Sequence, residues 1–105
     1  MANYKLVVFV PQTHVENVRI AICNAGAGHI GKYDNCAFMS AGIGTFRPLK
    51  GSKPFKGKKG KLERIGEARL ETIVPAKKIK KVLSAMKKVH PYEEVAYDVF
   101  KLENF

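Results

Sequence analysis

The densest group of side chains able to do chemistry lies in one short segment, His90-Pro91-Tyr92-Glu93-Glu94. An imidazole beside two carboxylates can bind a divalent metal or exchange protons with a substrate. Because Pro91 restricts the backbone, we expect these groups on a short stiff turn. One histidine and two acids do not complete a metal shell. The structural alternative is that His90 caps a helix end while the two glutamates pair with nearby lysines.

Two further histidines complete the set of candidate metal ligands. His14 lies at the start of a predicted helix and His29 in a glycine-rich turn, and spacing alone does not decide whether they meet His90 in space. The candidate ligands of a divalent metal are therefore His14, His90, Glu93 and Glu94, with His29 as a weaker candidate. No serine, cysteine or lysine stands in a recognisable nucleophile or phosphate-binding motif, so we expect no catalytic constellation. The cofactor suggested by these residues is a divalent metal.

A basic loop offers a second kind of site. The chain carries a net charge of +10, and residues 44–61 contain basic side chains without any acid. Such a loop can close over a phosphate or nucleotide, because glycines let the backbone approach an anion. The candidate anion-binding residues are Arg47, Lys50, Lys53, Lys56, Lys58 and Lys59. The lysines of the second predicted helix have a plainer interpretation, since a charged outer helix face keeps a protein in solution.

Two familiar nucleotide-recognition patterns are not supported by their surroundings. Residues 26–31 satisfy G-x-G-x-x-G, but they follow a helical pattern and lead into a strand, the reverse of a dinucleotide-binding motif. We therefore predict a helix exit and turn there. The predicted strand 61–74 contains no aromatic residue, which argues against recognition of RNA bases by stacking. Specific nucleic-acid binding is not expected.

The elements that must position these residues follow from hydrophobic periodicity. The pattern predicts, in order, a strand at 4–10, a helix at 14–25, a strand at 36–43, a loop at 44–60, a strand at 61–74, a helix from Pro75 to Pro91 and a strand at 95–102. We expect a capping box of Thr13 and Glu16 at the first helix and Pro75 in the first turn of the second. The order is that of an α+β, ferredoxin-like β-α-β-β-α-β sandwich, a four-stranded antiparallel sheet with two helices on one face.

Size and composition set the remaining limits. With 105 residues, 46% of them hydrophobic, the chain is expected to form one domain over residues 1–105. No apolar run approaches the roughly 20 residues that cross a bilayer, and the N-terminal segment lacks a signal-peptide layout, so we predict a cytoplasmic protein with no membrane contact. Cys23 and Cys36 are predicted to be buried, reduced thiols.

Several separated motifs together resemble a known family. Residues 10–16, 25–36, 44–48, 60–63 and 85–98 are similar, in that order, to the PII/CutA-like insertion domain of the Nif-three-like (YqfO-type) proteins, and the resemblance covers essentially the whole chain. The His90-Pro91-Tyr92 segment is also similar to one near the end of CutA proteins. The resemblance implies a PII/CutA-like fold and assembly as trimers.

The resemblance also limits what can be carried over. Nif-three-like proteins place this domain between two halves that carry a dinuclear metal site, and residues 1–105 do not include those halves. Neither their metal ligands nor a hydrolase activity transfers to this sequence. We therefore expect a free-standing binding or regulatory module, a homotrimer without an identified protein partner. A divalent metal is its first candidate ligand, and an anion or nucleotide held by the basic loop is the alternative.

Overall fold

The computed structural model describes residues 3–105 and contains six main elements. They are β1 (Asn3–Pro11), α1 (Val15–Asn24), β2 (Ala37–Phe46), β3 (Glu63–Pro75), α2 (Ile79–Val89) and β4 (Tyr97–Leu102). A single 3-10 turn precedes each helix. The predicted β-α-β-β-α-β order is confirmed. Within residues 3–105, no helix combines the length and the apolar composition needed to span a membrane.

The four strands form one antiparallel sheet in the order β2-β3-β1-β4. β1 is central, because it pairs with β3 along its whole length and with β4 from Asn3 to Val8. In this register Asn3 lies opposite both Pro75 and Leu102. β2 pairs with β3 from Ala37 opposite Thr72 to Phe46 opposite Glu63. β2 and β4 are therefore the two edge strands.

The core lies between one face of the sheet and the two helices. Alternate residues of β1 point to this side, and so do alternate residues of β3. The helices contribute apolar side chains at helical spacing. The fully buried side chains of this core are Leu6, Val8, Val10, Leu70 and Val74 from the sheet and Val18, Ile22, Val82 and Met86 from the helices. Both helices thus cover the same face, as predicted.

The β2 edge, residues Ala37–Phe46, is unusual for an edge strand. It contains no charged residue and no proline, and most of its side chains are exposed. Edge strands of monomeric proteins are usually short, charged or interrupted, because their free backbone groups can pair with another strand. The β2 edge has none of these protections.

The predicted capping box at the first helix is wrong. The chain enters α1 through the 3-10 turn Gln12–His14, so His14 occupies the N-cap position and makes no side-chain capping bond. The Thr13 hydroxyl lies 2.8 Å from Nδ1 of His14 instead. Glu16 accepts hydrogen bonds of 3.0 and 3.1 Å from Arg19. The sequence pattern was satisfied, but the turn placed Thr13 one residue too early to cap the helix.

Several boundaries also differ from the prediction. β2 runs three residues further than residue 43, because Gly44 pairs with Ile65 and the strand continues to Phe46. The basic loop is therefore shorter at its start than predicted. In the structure it spans residues 47–62, and the name refers to this range from here on. Pro75 ends β3 rather than beginning a helical turn. Cys23 is buried as predicted, whereas Cys36 is only partly buried, and both thiols are free.

The glycine-rich stretch is a turn between α1 and β2, as predicted. Gly28 has a positive φ of 82° and donates its N–H to the carbonyl oxygen of Ile73 at 2.8 Å. Its own carbonyl accepts the N–H of Cys36 at 2.9 Å. A Cβ at this position would lie 2.9 Å from backbone atoms of Cys36. Glycine is therefore required here for close backbone contact and not for phosphate binding.

Candidate functional site

A cavity of about 390 Å³ lies between the basic loop and the segment that follows α2. We call it the aromatic pocket, because rings and other apolar groups form most of its surface. Ligand pockets typically occupy roughly 300–1,000 Å³ and combine apolar walls with a few polar groups. Its lining residues are Phe9, Thr45, Phe46, Arg47, Pro48, Leu49, Ser52, Pro54, Phe55, Glu67, Tyr92, Glu93, Glu94 and Ala96.

The aromatic walls of the pocket contact one another. The ring centroid of Tyr92 lies 5.8 Å from that of Phe46 and 6.1 Å from that of Phe55. Phe55 in turn meets the imidazole of His14 edge-on at 5.4 Å. These separations fall in the range in which aromatic pairs attract. The basic loop, β2 and the segment after α2 are thus held together by one group of rings.

A hydrogen bond fixes the polar end of the pocket. The hydroxyl of Tyr92 donates to Oε2 of Glu67 at 2.9 Å. Burial and the neighbouring carboxylate raise the pKa of Tyr92, so the phenol stays protonated and remains a donor. A Cβ at Gly44 would collide with the carboxylate of Glu67. The absence of a side chain at Gly44 therefore leaves room for the Glu67 carboxylate beside the pocket.

His90 is a structural histidine that contacts two residues of the pocket lining, Phe9 and Tyr92. It is 6% exposed. The N–H of Tyr92 donates to Nδ1 at 3.1 Å, so Nε2 carries the ring proton and donates to the carbonyl oxygen of Phe9 at 2.8 Å. Burial lowers the pKa of His90, which the bond to Phe9 and the charge of Glu67 raise to a smaller extent. The imidazole is therefore neutral, and both of its nitrogens are engaged.

Backbone contacts hold the basic loop as one wall of the pocket. The N–H of Lys53 donates to Oε1 of Glu93 at 2.6 Å. Across the base of the loop, the N–H of Gly60 donates to the carbonyl oxygen of Pro48 at 2.7 Å, and Pro48 is buried. Glu93 was predicted to pair with a lysine side chain, but in the structure it accepts a hydrogen bond from the backbone N–H of Lys53. Glu93 thereby attaches the loop to the segment after α2.

The predicted metal ligands do not come together within one chain. Among residues 3–105, no three His, Cys, Asp or Glu side chains are close enough to hold a metal ion. His14 contacts Phe55, both nitrogens of His90 are engaged, and Glu93 binds the basic loop. His29 is exposed in the glycine-rich turn, and Glu94 lines the pocket. Metal binding stays a prediction.

The predicted anion-binding residues divide into two groups. Arg47 lines the aromatic pocket, although its side chain is exposed. The lysines of the set are exposed along the basic loop and do not line the pocket; they are Lys50, Lys53, Lys56, Lys58 and Lys59. Anion binding by this loop also stays a prediction.

Sequence reasoning missed the aromatic walls and the carboxylate of the pocket. Phe46 and Phe55 stand in a stretch otherwise rich in glycine, proline and lysine, and such isolated aromatics were the available signal. No such signal marks Glu67, which is one of several charged residues alternating with apolar ones along β3. Its role depends on the pairing of β2 with β3, which places a glycine beside it.

Comparison with known proteins shows homology to part of a larger protein. No protein-family model matches the chain. It is 58% identical over 99 residues to a GTP cyclohydrolase 1 type 2 homolog of Bacillus subtilis, covering 94% of this chain and 26% of the relative. The homolog of Mycobacterium tuberculosis is 46% identical over 98 residues, and the match covers 93% of this chain and 26% of that homolog. The chain thus spans about a quarter of the length of these curated relatives.

Solved structures show the same relationship and the fold. A Bacillus cereus protein related to NIF3 superposes with a TM-score of 0.85 at 54% identity, covering 98% of this chain and 26% of that one. CutA from Archaeoglobus fulgidus superposes with a TM-score of 0.69 at 16% identity, covering 100% of this chain and 87% of CutA. GlnK of Bacillus subtilis superposes with a TM-score of 0.64 at 12% identity, covering 97% of this chain and 86% of GlnK. The chain is homologous to about a quarter of these NIF3-related proteins and has the PII/CutA-like fold.

Proposed function

We propose that this PII/CutA-like chain is a binding or regulatory module that holds a small ligand in the aromatic pocket. The observation that carries the proposal is a cavity of about 390 Å³ walled by Phe46, Phe55 and Tyr92, with the Glu67 carboxylate fixed at its polar end. Apolar walls supply affinity, and a few positioned polar groups supply specificity. The bond from Lys53 to Glu93 holds the loop wall in place before a ligand arrives.

The proposal is tested by amide NMR spectra recorded with mixtures of small organic fragments. Phe55 is 44% exposed, so Phe55→Ala removes a pocket wall without emptying the core. The matched control is Phe100→Ala, which removes an exposed ring of β4, outside the pocket and at the opposite edge of the sheet from β2. Fragments are expected to shift signals around Tyr92 in the parent chain and in the control, and to lose affinity for Phe55→Ala. Equal binding to both variants would place the ligand elsewhere.

We also propose that the chains associate as trimers. The resemblance to PII and CutA suggests this state, and the uncharged, exposed β2 edge offers a surface for self-association. A side chain at Gly42 would meet no atom within 4 Å, so Gly42→Lys adds charge to the edge without a clash in the monomer. Light scattering should give three times the chain mass of 11.7 kDa for the parent and for Gly42→Ala, and a smaller mass for Gly42→Lys. A parent monomer at all concentrations would refute association.

An anion or nucleotide is the second candidate ligand, favoured by the position of Arg47 in the pocket lining. One solved structure of the same fold is a GlnK–ATP complex from Bacillus subtilis, and the name of the curated relatives mentions GTP. Thermal shifts with ATP, ADP, GTP and cyclic nucleotides test this alternative. Stabilisation that Arg47→Gln abolishes and Arg64→Gln retains would support it, since Arg64 is also exposed but lies outside the pocket. Flat melting temperatures would count against it.

A divalent metal remains the other candidate. CutA from Archaeoglobus fulgidus is described as a divalent cation tolerance protein. The described residues of one chain do not fit a metal shell, so a site would need side chains from a second chain to join His14, Glu93 or Glu94. Titration with Zn²⁺, Cu²⁺ and Mn²⁺ tests this, with His14→Ala as the variant and His29→Ala, which removes the weaker candidate, for comparison. Unchanged affinity in His14→Ala and in a His14/His90 double alanine variant would exclude both histidines as ligands.

We assign no catalytic role to this chain. The activity in the name of the curated relatives describes proteins about four times as long, and the chain matches 26–27% of their length. The Tyr92 hydroxyl lies beside a possible general base, the Glu67 carboxylate, but the raised pKa of Tyr92 keeps the phenol protonated and therefore a poor nucleophile. Binding is therefore the proposed contribution of these residues.

A further inference from the structure

The aromatic pocket has a local charge opposite to that of the chain. Its ionisable lining consists of three carboxylates and one guanidinium, whereas the whole chain carries a net charge of +10. The three acids are Glu67, Glu93 and Glu94, and the base is Arg47. Since the lysines of the basic loop do not line the pocket, the excess of acids there is not a property of the surrounding surface.

Glu67 is the acid best placed to act on a ligand. It is partly buried, and its carboxylate accepts a hydrogen bond from the neutral phenol of Tyr92. Within residues 3–105 it forms no ion pair. Arg69, two residues along β3, pairs instead with Glu71 at 3.4 Å. A partly buried carboxylate without a cationic partner attracts a cation more strongly than an exposed one does, because water screens it less.

The rings of the pocket favour the same sign of charge. The faces of aromatic rings carry negative potential and attract ammonium, amidinium and guanidinium groups. Phe46, Phe55 and Tyr92 surround the cavity next to the Glu67 carboxylate. Arg47 opposes this preference only weakly, because its side chain is exposed and its charge is screened by water.

We propose that the aromatic pocket binds a small organic cation, an apolar or flat group that carries a protonated amine or amidine. This inference rests on the proposed ligand pocket and names the ligand class of that same site. The apolar part packs between Phe46, Phe55 and Tyr92, and the charged nitrogen faces the carboxylate of Glu67. Glu93 and Glu94 are exposed like Arg47, so water screens their charges too and the preference depends mainly on Glu67.

The experiment compares three ligands of one shape and different charge: benzamidine as cation, benzamide as neutral analogue and benzoate as anion. Affinities are measured by amide NMR titration at low salt and neutral pH. We expect benzamidine to bind about tenfold more tightly than benzamide, the effect expected of a charge-assisted bond combined with a cation–aromatic contact. Benzoate should bind more weakly than benzamide.

Two variants identify the group responsible. Glu67→Gln keeps an acceptor for Tyr92 but removes the charge, and should reduce the affinity for benzamidine to that for benzamide. Glu63→Gln removes a carboxylate from the same strand that lies outside the pocket and forms no ion pair within residues 3–105, and it should leave the preference unchanged. The charge series on the parent chain does not depend on either variant being folded.

The outcomes separate this inference from the proposed function. Benzoate binding as tightly as benzamidine, or a preference for benzamidine that survives Glu67→Gln, would overturn the cation assignment and leave the ligand pocket standing. If none of the three ligands shifts signals of the pocket at millimolar concentration while other fragments do, the cation assignment again fails alone. If no fragment of any charge binds, both proposals fail.

Discussion

Acidification is expected to destabilise this fold through His90. Its Nδ1 accepts the N–H of Tyr92 and its Nε2 donates to the carbonyl oxygen of Phe9. Protonation of Nδ1 would remove the acceptor and set two N–H groups against each other in a side chain that is 6% exposed. The folded state therefore requires the neutral imidazole. An unfolded chain has no such requirement.

The sign and size of the effect follow from proton linkage. The pKa of His90 is lowered in the folded state from its ordinary value of 6.5. Below about pH 6.5 the unfolded chain thus binds a proton that the folded chain does not. The free energy of unfolding should fall by up to about 1.4 kcal/mol per pH unit on acidification, until the folded-state pKa is reached. Well above pH 6.5 this histidine contributes no pH dependence.

Urea unfolding followed by circular dichroism between pH 5 and 8 measures this dependence, since the chain has no tryptophan to report by fluorescence. A fixed protein concentration keeps any association constant. His90→Gln should lose about 1–3 kcal/mol at pH 7.5 from its broken hydrogen bonds. It should also flatten the slope below pH 6.5. His29→Gln, which removes an imidazole from an exposed turn, should retain the parent slope. A parent-like slope in His90→Gln would refute the assignment.

Three further changes test the turn and the pocket. Gly28→Ala should lower the free energy of unfolding by more than about 2 kcal/mol, measured with urea, because the new Cβ would meet backbone atoms. Gly31→Ala, also at positive φ but in open space, should lower it by about 1 kcal/mol. Equal losses would exclude the steric explanation. Tyr92→Phe leaves the Glu67 carboxylate without its hydrogen-bond donor and should lower the free energy of unfolding by about 1.5–3 kcal/mol, again measured with urea. Gly44→Ala displaces the Glu67 carboxylate. In the NMR titration this variant should bind benzamidine severalfold more weakly than the parent chain does and should bind benzamide equally well.

The fold could be predicted because its signals are local and repeated. β1 is a run of β-branched and aromatic residues in which Leu6, Val7 and Val8 are all buried, and α2 repeats apolar residues at helical spacing around Val82 and Met86. Each element is identified from its own residues, and the order of the elements leaves few possible topologies. The resemblance to the PII/CutA-like domain pointed to the same arrangement.

The site could not be predicted in the same way, because its contacts join distant parts of the chain. Tyr92 and Glu67 are 25 residues apart, and His90 bonds a carbonyl 81 residues away. Only the register of β2 on β3 reveals that a side chain at Gly44 would displace the carboxylate of Glu67. The error at Thr13 has a different origin, since a correct local motif was overruled by the turn that follows Pro11.

The pairing of β1 with β4 has a consequence for how the chain can be connected. Asn3 and Leu102 are cross-strand partners, so they lie about 5 Å apart. A short linker could join them, and the polypeptide could then begin within the basic loop, for example between Lys58 and Lys59, with every strand pair retained. Circular permutation of this kind succeeds where the old termini are close and the new ones lie in an exposed loop. The sheet thus depends on which strands are neighbours in space, and much less on which of them is synthesised first.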